Sequence, residues 1–176
     1  MGSASAIPWF TLLGVALGFI LGEGSRYARY RWDIHRNKGL VRAEIKTVLA
    51  QLPQKRDILN QAIAHLKEQR FMPTLACRTV TAGYYSVLED LYPHLSLRER
   101  TCLHIIFERV RVADEQMDEF EKNFVSAVKD KIISDPWSTF SGRLDELLQS
   151  YAVVEHLAKT YLDGKPEDVF GVETVE

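Results

Sequence analysis

The chain has 176 residues, of which 46% are hydrophobic and 26% charged. That is enough apolar material for one core-forming domain and excludes a wholly disordered chain. Two cysteines, Cys77 and Cys102, are too few for a disulfide scaffold or a four-thiolate zinc site. The formal net charge of −2 hides a gradient along the chain. Residues 1–22 carry no charged side chain, residues 23–56 hold nine Lys and Arg against three Asp and Glu (net +6), and residues 57–176 hold 13 against 21 (net −8). An acidic body is a poor electrostatic match for a phosphate backbone, so no nucleic-acid partner is expected.

The first predicted element is a membrane anchor over residues 1–24. Ile7–Gly22 contains Thr11 as its one polar side chain. Sixteen residues are slightly short for the hydrocarbon core at about 1.5 Å rise each, and the small Ala4-Ser5-Ala6 lengthens the run. Trp9 and Phe10 stand at one end. Tyr27, Tyr30 and Trp32 stand beyond the other, among Arg26, Arg29 and Arg31. Aromatic rings favour the headgroup region and arginine snorkels to it. A secretory signal peptide would carry its positive charge before the apolar run and a cleavage site after it, and this chain has neither. Met1-Gly2 opens like an N-myristoylation motif, but Ala6 stands where Ser or Thr is required. All Lys and Arg follow the run, which places the N-terminus outside and about 150 residues in the cytoplasm. The expected location is the plasma or inner membrane, with a single pass.

Gly14, Gly18 and Gly22 recur at four-residue spacing within the run, a pattern that lets a second membrane helix approach closely. The basic neck over 25–39 is accounted for by the positive-inside bias. Its other reading is an anionic-lipid contact.

Helical periodicity dominates residues 40–164, without useful strand-like alternation. Val41, Ile45, Val48, Leu52, Leu59, Ala62 and Leu66 fall on one stripe, with Lys55 filling a gap. The coherent phase predicts one kinked helix over 40–69 through Pro53, separated from the neck by Gly39. Two helices meeting at Leu52–Pro53 is the alternative. Pro73 lies in a connection. A second helix is predicted over 75–91, with Ala76, Val80, Tyr84, Val87 and Leu91 on one face. Ser96-Leu97-Arg98-Glu99 is a capping box that opens a helix over 97–133. There Leu103, Ile106, Val110, Ala113, Met117, Phe120, Phe124 and Ala127 step by three and four, the rhythm of a coiled-coil packing seam. Ser134-Asp135-Pro136 stops it. The last helix, 138–163, carries Leu144, Leu147, Tyr151, Val154, Ala158 and Tyr161, with Gly164 as its C′ residue. Residues 165–176 form an acidic tail. The expected fold is therefore all-α: a single transmembrane helix followed by an antiparallel bundle of about four helices with coiled-coil-like packing.

The chemistry-bearing residues form no recognised constellation. The run Asp114, Glu115, Asp118, Glu119, Glu121 invites a metal site, but no Glu-x-x-His exists to complete one, and it reads as a solvated helix face with Asp114 and Glu121 flanking the seam. His35, His65, His94, His104 and His156 are scattered. His104 lies beside the seam and reads as a hydrogen-bonded core residue. Cys77 and Cys102 read as packing groups. Nucleotide-binding and hydrolase fingerprints are absent, as are internal repeats. These features lead to the expectation of a membrane-tethered interaction or scaffold module, self-associating or bound to a protein partner, with no cofactor, metal or catalytic site. The alternative is an oligomeric membrane effector or pore-forming subunit controlled by the bundle. An enzyme would need a site assembled only in three dimensions.

Overall fold

The computed structural model describes residues 6–71, 78–79 and 81–166. Four helices account for most of them: α1 (Ala6–Lys67), α2 (Ala82–Leu91), α3 (Leu97–Lys129) and α4 (Pro136–Leu162), with a 3₁₀ turn at Tyr92–His94. There is no strand among the described residues. The chain divides into two compact units, Met1–Gly39 and Leu40–Glu176. Expected features at Pro73, Ala76, Cys77, Val80 and residues 167–176 lie outside the described residues.

In the first unit, α1 includes the apolar run. Among the described residues, no helix is long and apolar enough to cross a membrane. The transmembrane span expected over 7–22 is thus not supported. The physical reason is length: sixteen residues rise about 24 Å, against about 30 Å of hydrocarbon, and Glu23, Arg26 and Arg29 follow on the same helix.

The second unit is a helical bundle. Helix α1 passes through Gly39 without the break expected there. One glycine costs a helix only about 1 kcal/mol, which packing offsets. It also passes through Pro53, whose ring is exposed, so the alternative of two helices meeting at Leu52–Pro53 does not occur. Val41, Ile45, Val48, Leu52, Leu59, Ala62 and Leu66 are all buried on one stripe.

Helix α3 starts at the capping box as expected: Ser96 Oγ accepts from the Glu99 N–H at 3.2 Å, and Glu99 accepts from the Ser96 N–H at 2.7 Å. Its seam from Leu103 to Ala127 is buried throughout, and Cys102, Phe107 and Asp114 are buried beside it. The helix ends at Lys129, four residues before the expected end. Pro136, expected to stop α3, lies seven residues beyond its end and does not do so. It occupies the first turn of α4, where its fixed φ and missing N–H suit a helix start, and Asp135 caps that turn by accepting from the Ser138 N–H at 3.1 Å.

Helices α3 and α4 run antiparallel, since Arg109 reaches Ser150 and Phe120 meets Phe140 edge-on at 5.5 Å. Residues 40–67 of α1 run antiparallel to α4, through Arg42 to the Leu162 carbonyl and Arg56 to Glu155. They run parallel to α3, through Lys55 to Asp114, with Phe71 beyond the helix end stacked on Phe124 at 5.0 Å. Phe124 also meets Trp137 and Phe140, closing an aromatic cluster at that end of the bundle.

Helix α2 is the short member. Ten residues are too few for a stable isolated helix, so α2 depends on docking. Tyr84 stacks on Phe107 with ring centroids 3.9 Å apart, and Leu91 is buried. It begins later than the expected residue 75: Arg78, Thr79 and Thr81 are not helical.

Two helices end in the same way. Gly164, at φ 74°, lets its N–H bond the Tyr161 carbonyl while Lys165 N–H bonds Thr160, the Schellman pattern. Helix α1 repeats this with Gln69 at φ 55°, whose N–H bonds Leu66 while Arg70 N–H bonds His65. A left-handed conformation costs a side-chain-bearing residue about 1–2 kcal/mol, part of which is returned by the smaller unfolded-state entropy relative to glycine. Gln69→Gly is therefore expected to raise stability by about 0.5–1 kcal/mol, read as a higher urea midpoint. A Phe124→Ala variant is expected to lose about 3–5 kcal/mol by the same measurement, because it empties the centre of the aromatic cluster.

Candidate functional site

Two features stand out from the ordinary packing: an apolar helix surface in the first unit and a group of buried charges in the second.

The surface is the N-terminal part of α1. Trp9, Leu12, Leu13, Val15, Leu17, Phe19, Ile20 and Leu21 are each between 56 and 69% exposed. At 3.6 residues per turn these side chains cover roughly two-thirds of the circumference, and Gly14, Gly18 and Gly22 occupy the rest. A Cβ at any of these glycines would meet nothing within 4 Å. The segment therefore has no polar face. Helices that are apolar all round are ordinarily buried, in a core or in lipid. A contiguous exposed patch of this kind marks an interaction surface.

The flanking side chains are exposed as well. Tyr27, Tyr30 and Trp32 are all more than half exposed, and Arg26, Arg29 and Arg31 are exposed. Glu23 and Arg26 pair at 3.0 Å, and Ser25 Oγ donates to the Gly22 carbonyl at 3.0 Å. Further along, the Arg36 guanidinium lies 5.4 Å from the Trp32 ring centroid.

The charges in the bundle correct the reading of the acidic run. Asp114 is not on a solvated face. It is buried and ion-paired with Lys55 of α1, which is equally buried. Its carboxylate also accepts from the Thr79 backbone N–H at 2.6 Å and from the Thr79 hydroxyl at 3.3 Å. Tyr151 closes the group from α4: the Lys55 ammonium lies 5.8 Å from its ring, and its hydroxyl donates to Met117 Sδ at 3.7 Å. Burial, and then the charge of Asp114, push the Tyr151 hydroxyl well above the usual tyrosine range. One turn on, Asp118 accepts from the Arg78 guanidinium at 2.7 Å. Thr79 thus spends its N–H on α3, which is why Thr79 does not extend α2.

A second carboxylate, Glu44, is buried on α1 against the start of α2 and accepts from the Gly83 N–H at 3.1 Å. Neither Glu44 nor Asp114 was marked by its local sequence. The one available signal was Lys55, a cation in an otherwise apolar stripe, which demands a buried counter-charge.

The remaining candidates do not converge. His104 is exposed, contrary to the expected core position, and His35 and His156 are exposed too. His104 points outward because Leu103 and Ile106 take the inward positions of that turn. Cys102 is fully buried and faces the Leu157 carbonyl at 3.7 Å. Among the described residues no three His, Cys, Asp or Glu side chains could hold a metal ion. A cleft of about 210 Å³ between α3 and α4 has mixed walls, including Glu119, Arg143 and Phe140. It contains no pairing of a nucleophile with a base. Within the buried group, both Asp114 oxygens are engaged by Lys55 and Thr79. Its arrangement can hold a chain segment in place, and it offers nothing for a substrate to approach.

Compared with protein-family models, curated proteins and solved structures, the chain matches none of them.

Removing one partner of a buried pair leaves an uncompensated charge, at a cost of about 3–5 kcal/mol. Asp114→Ala is expected to lose that much in urea unfolding. The double variant Lys55→Met, Asp114→Leu is expected to recover most of it, with the Thr79 N–H left as the residual deficit.

Proposed function

We propose that the chain is a membrane-anchored helical interaction module. The segment over residues 1–24 holds it to the plasma or inner membrane, the N-terminus lies outside, and the bundle sits in the cytoplasm to meet a protein partner or a second copy. The observation that carries this reading is the absence of a polar face on a helix whose large apolar side chains are exposed. An interfacial helix lying on a membrane would need one polar side; residues 9–22 carry apolar groups or glycine all round, with Thr11 as their one polar side chain.

The anchor is short, and its flanks compensate. Trp9 and Tyr27 are 18 residues apart, and Trp9 and Tyr30 are 21 apart, which is about 27 and 32 Å at 1.5 Å per residue. Those distances bracket the hydrocarbon thickness of about 30 Å, with aromatic rings at both edges. The Glu23–Arg26 pair and the Ser25–Gly22 bond lower the cost of taking polar groups to the edge of the apolar layer. Residual mismatch costs only fractions of a kcal/mol per Å and is absorbed by local thinning and snorkelling arginines. The open line of Gly14, Gly18 and Gly22 suits self-association through the anchor. The exposed Arg26, Arg29 and Arg31 suit contact with anionic headgroups. A pore-forming role has less behind it, since Thr11 is the one polar side chain of residues 7–22.

Three measurements test the proposal. Leu17→Lys places a charge at the centre of the segment at a cost of about 2.5–3.5 kcal/mol; it is expected to move the protein from the carbonate-washed membrane pellet to the supernatant. Retention in the pellet would show that this segment is not the anchor. Protease added to intact cells is expected to leave the bundle intact, and digestion would reverse the orientation. Gly18→Ile is expected to lower the self-association signal in a membrane two-hybrid assay, and an unchanged signal would remove the glycine line from the interface.

A further inference from the structure

Helix α2 has no cap of its own. Thr81, at the N-cap position, makes no side-chain hydrogen bond to the helix. The cap comes instead from Glu44, 39 residues earlier on α1, whose Oε1 accepts from the Gly83 N–H at 3.1 Å. The Tyr84 N–H also bears on this carboxyl. The approach is close: a Cβ at residue 83 would lie 2.8 Å from Glu44 Oε2, so the carboxyl would have to shift to admit a side chain there.

That second oxygen is the anomaly. Glu44 Oε2 is buried and has no hydrogen-bond partner. An ionised carboxylate offers about four acceptor sites, and an unpaired buried acceptor is costly, more so when it carries charge. The N-terminus of α2 favours an anion here by about 0.3–1 kcal/mol. Burial acts the other way and is the larger effect, so the carboxyl is held above the ordinary glutamate range.

We propose that Glu44 is a proton-operated latch for α2: the neutral acid docks the helix tightly on the bundle, and the carboxylate loosens it. The inference is independent of the membrane reading above. The helix it controls covers Phe107 with Tyr84, so loosening uncovers part of the aromatic core.

Tyrosines and the Glu108–Arg111 pair share the surroundings of Glu44. On α2, burial pushes the Tyr84 hydroxyl up to about 12 and raises Tyr85, so both stay neutral. On α3, the Arg111 guanidinium bonded to Glu108 holds its carboxyl below the usual carboxylate range, and His104 bears on Glu108. Arg111 itself is held protonated by Glu108 and Glu115. On α4, burial pushes Tyr161 up to about 12. On α1, the exposed Arg42 donates to the Leu162 carbonyl. Because the docked carboxyl is raised above its free value, the docked state keeps its proton to higher pH than the open state. Docking is therefore strongest below the free glutamate value, weakens as pH rises through the docked value, and is loosest above it.

The test is amide hydrogen exchange of residues 82–91 in the full-length protein in detergent micelles, from about pH 4 to about pH 8, corrected for intrinsic exchange. Protection is expected to fall as pH rises, by about tenfold for each unit of elevation. Glu44→Gln keeps a carbonyl to accept from Gly83 and is expected to give a flat profile. Gly83→Ala is expected to lower protection of α2 at every pH. His104 is retained in all variants and drops out of the comparison. A flat wild-type profile, or a Glu44→Gln profile that slopes like wild type, overturns the latch. Should Glu44→Gln fail to fold, the ¹³C shift of the wild-type Glu44 carboxyl decides. A midpoint above the ordinary glutamate range supports the proposal, and one at or below it overturns it.

Discussion

The bundle depends on a buried ion pair. Lys55 and Asp114 sit 59 residues apart in sequence, on helices whose other inward positions are mostly apolar. Two charges taken out of water are tolerable only when each finds the other and the remaining lone pairs are occupied. That demand fixes the register of α1 against α3, because a shift of one turn would leave both unpaired. It also fixes the connection between α1 and α2, since the Thr79 N–H and hydroxyl fill the acceptor sites Lys55 leaves open. An apolar pair of the same volume would pack comparably, but it would define the register less sharply.

Glu44 and Asp114 share a second property. Each is a carboxylate on one long helix that accepts a backbone N–H from the irregular segment leading into, or just inside, α2. The shortest helix of the bundle is thus positioned by side chains of its neighbours more than by its own sequence. Its own contributions are the Tyr84 ring on Phe107 and the buried Leu91. This is the arrangement expected of an element whose local stability is low and whose position is set by tertiary contacts.

The apolar stripes were legible in the sequence because helical spacing is a local property. Val41 to Leu66, Leu103 to Ala127 and Leu144 to Tyr161 are buried where the periodicity put them. The capping box at Ser96 and the left-handed Gly164 were legible for the same reason. The buried charges were not. Whether a carboxylate beside a seam faces water or a lysine is decided by a helix 59 residues away, and nothing in the local pattern around Asp114 or Glu44 states it. The start of α2 was misplaced for a related reason, since Thr79 satisfies its N–H in three dimensions instead of in a helix. Pro136 was read as a stop, although the same missing N–H makes it a start. The apolar N-terminal run was plain in the sequence, but its sixteen residues fall short of a full span by simple length.

Cys102 carries a consequence of its own. Its thiol has no exposed surface and is enclosed where α3 meets the Leu157 carbonyl of α4. A thiol sealed in this way cannot meet a reagent while the two helices remain packed. Its reactivity is thus gated by separation of the α3–α4 hairpin, not by the chemistry of the sulfur. Modification of Cys102, scored apart from that of Cys77, would therefore time the opening of the central helix pair.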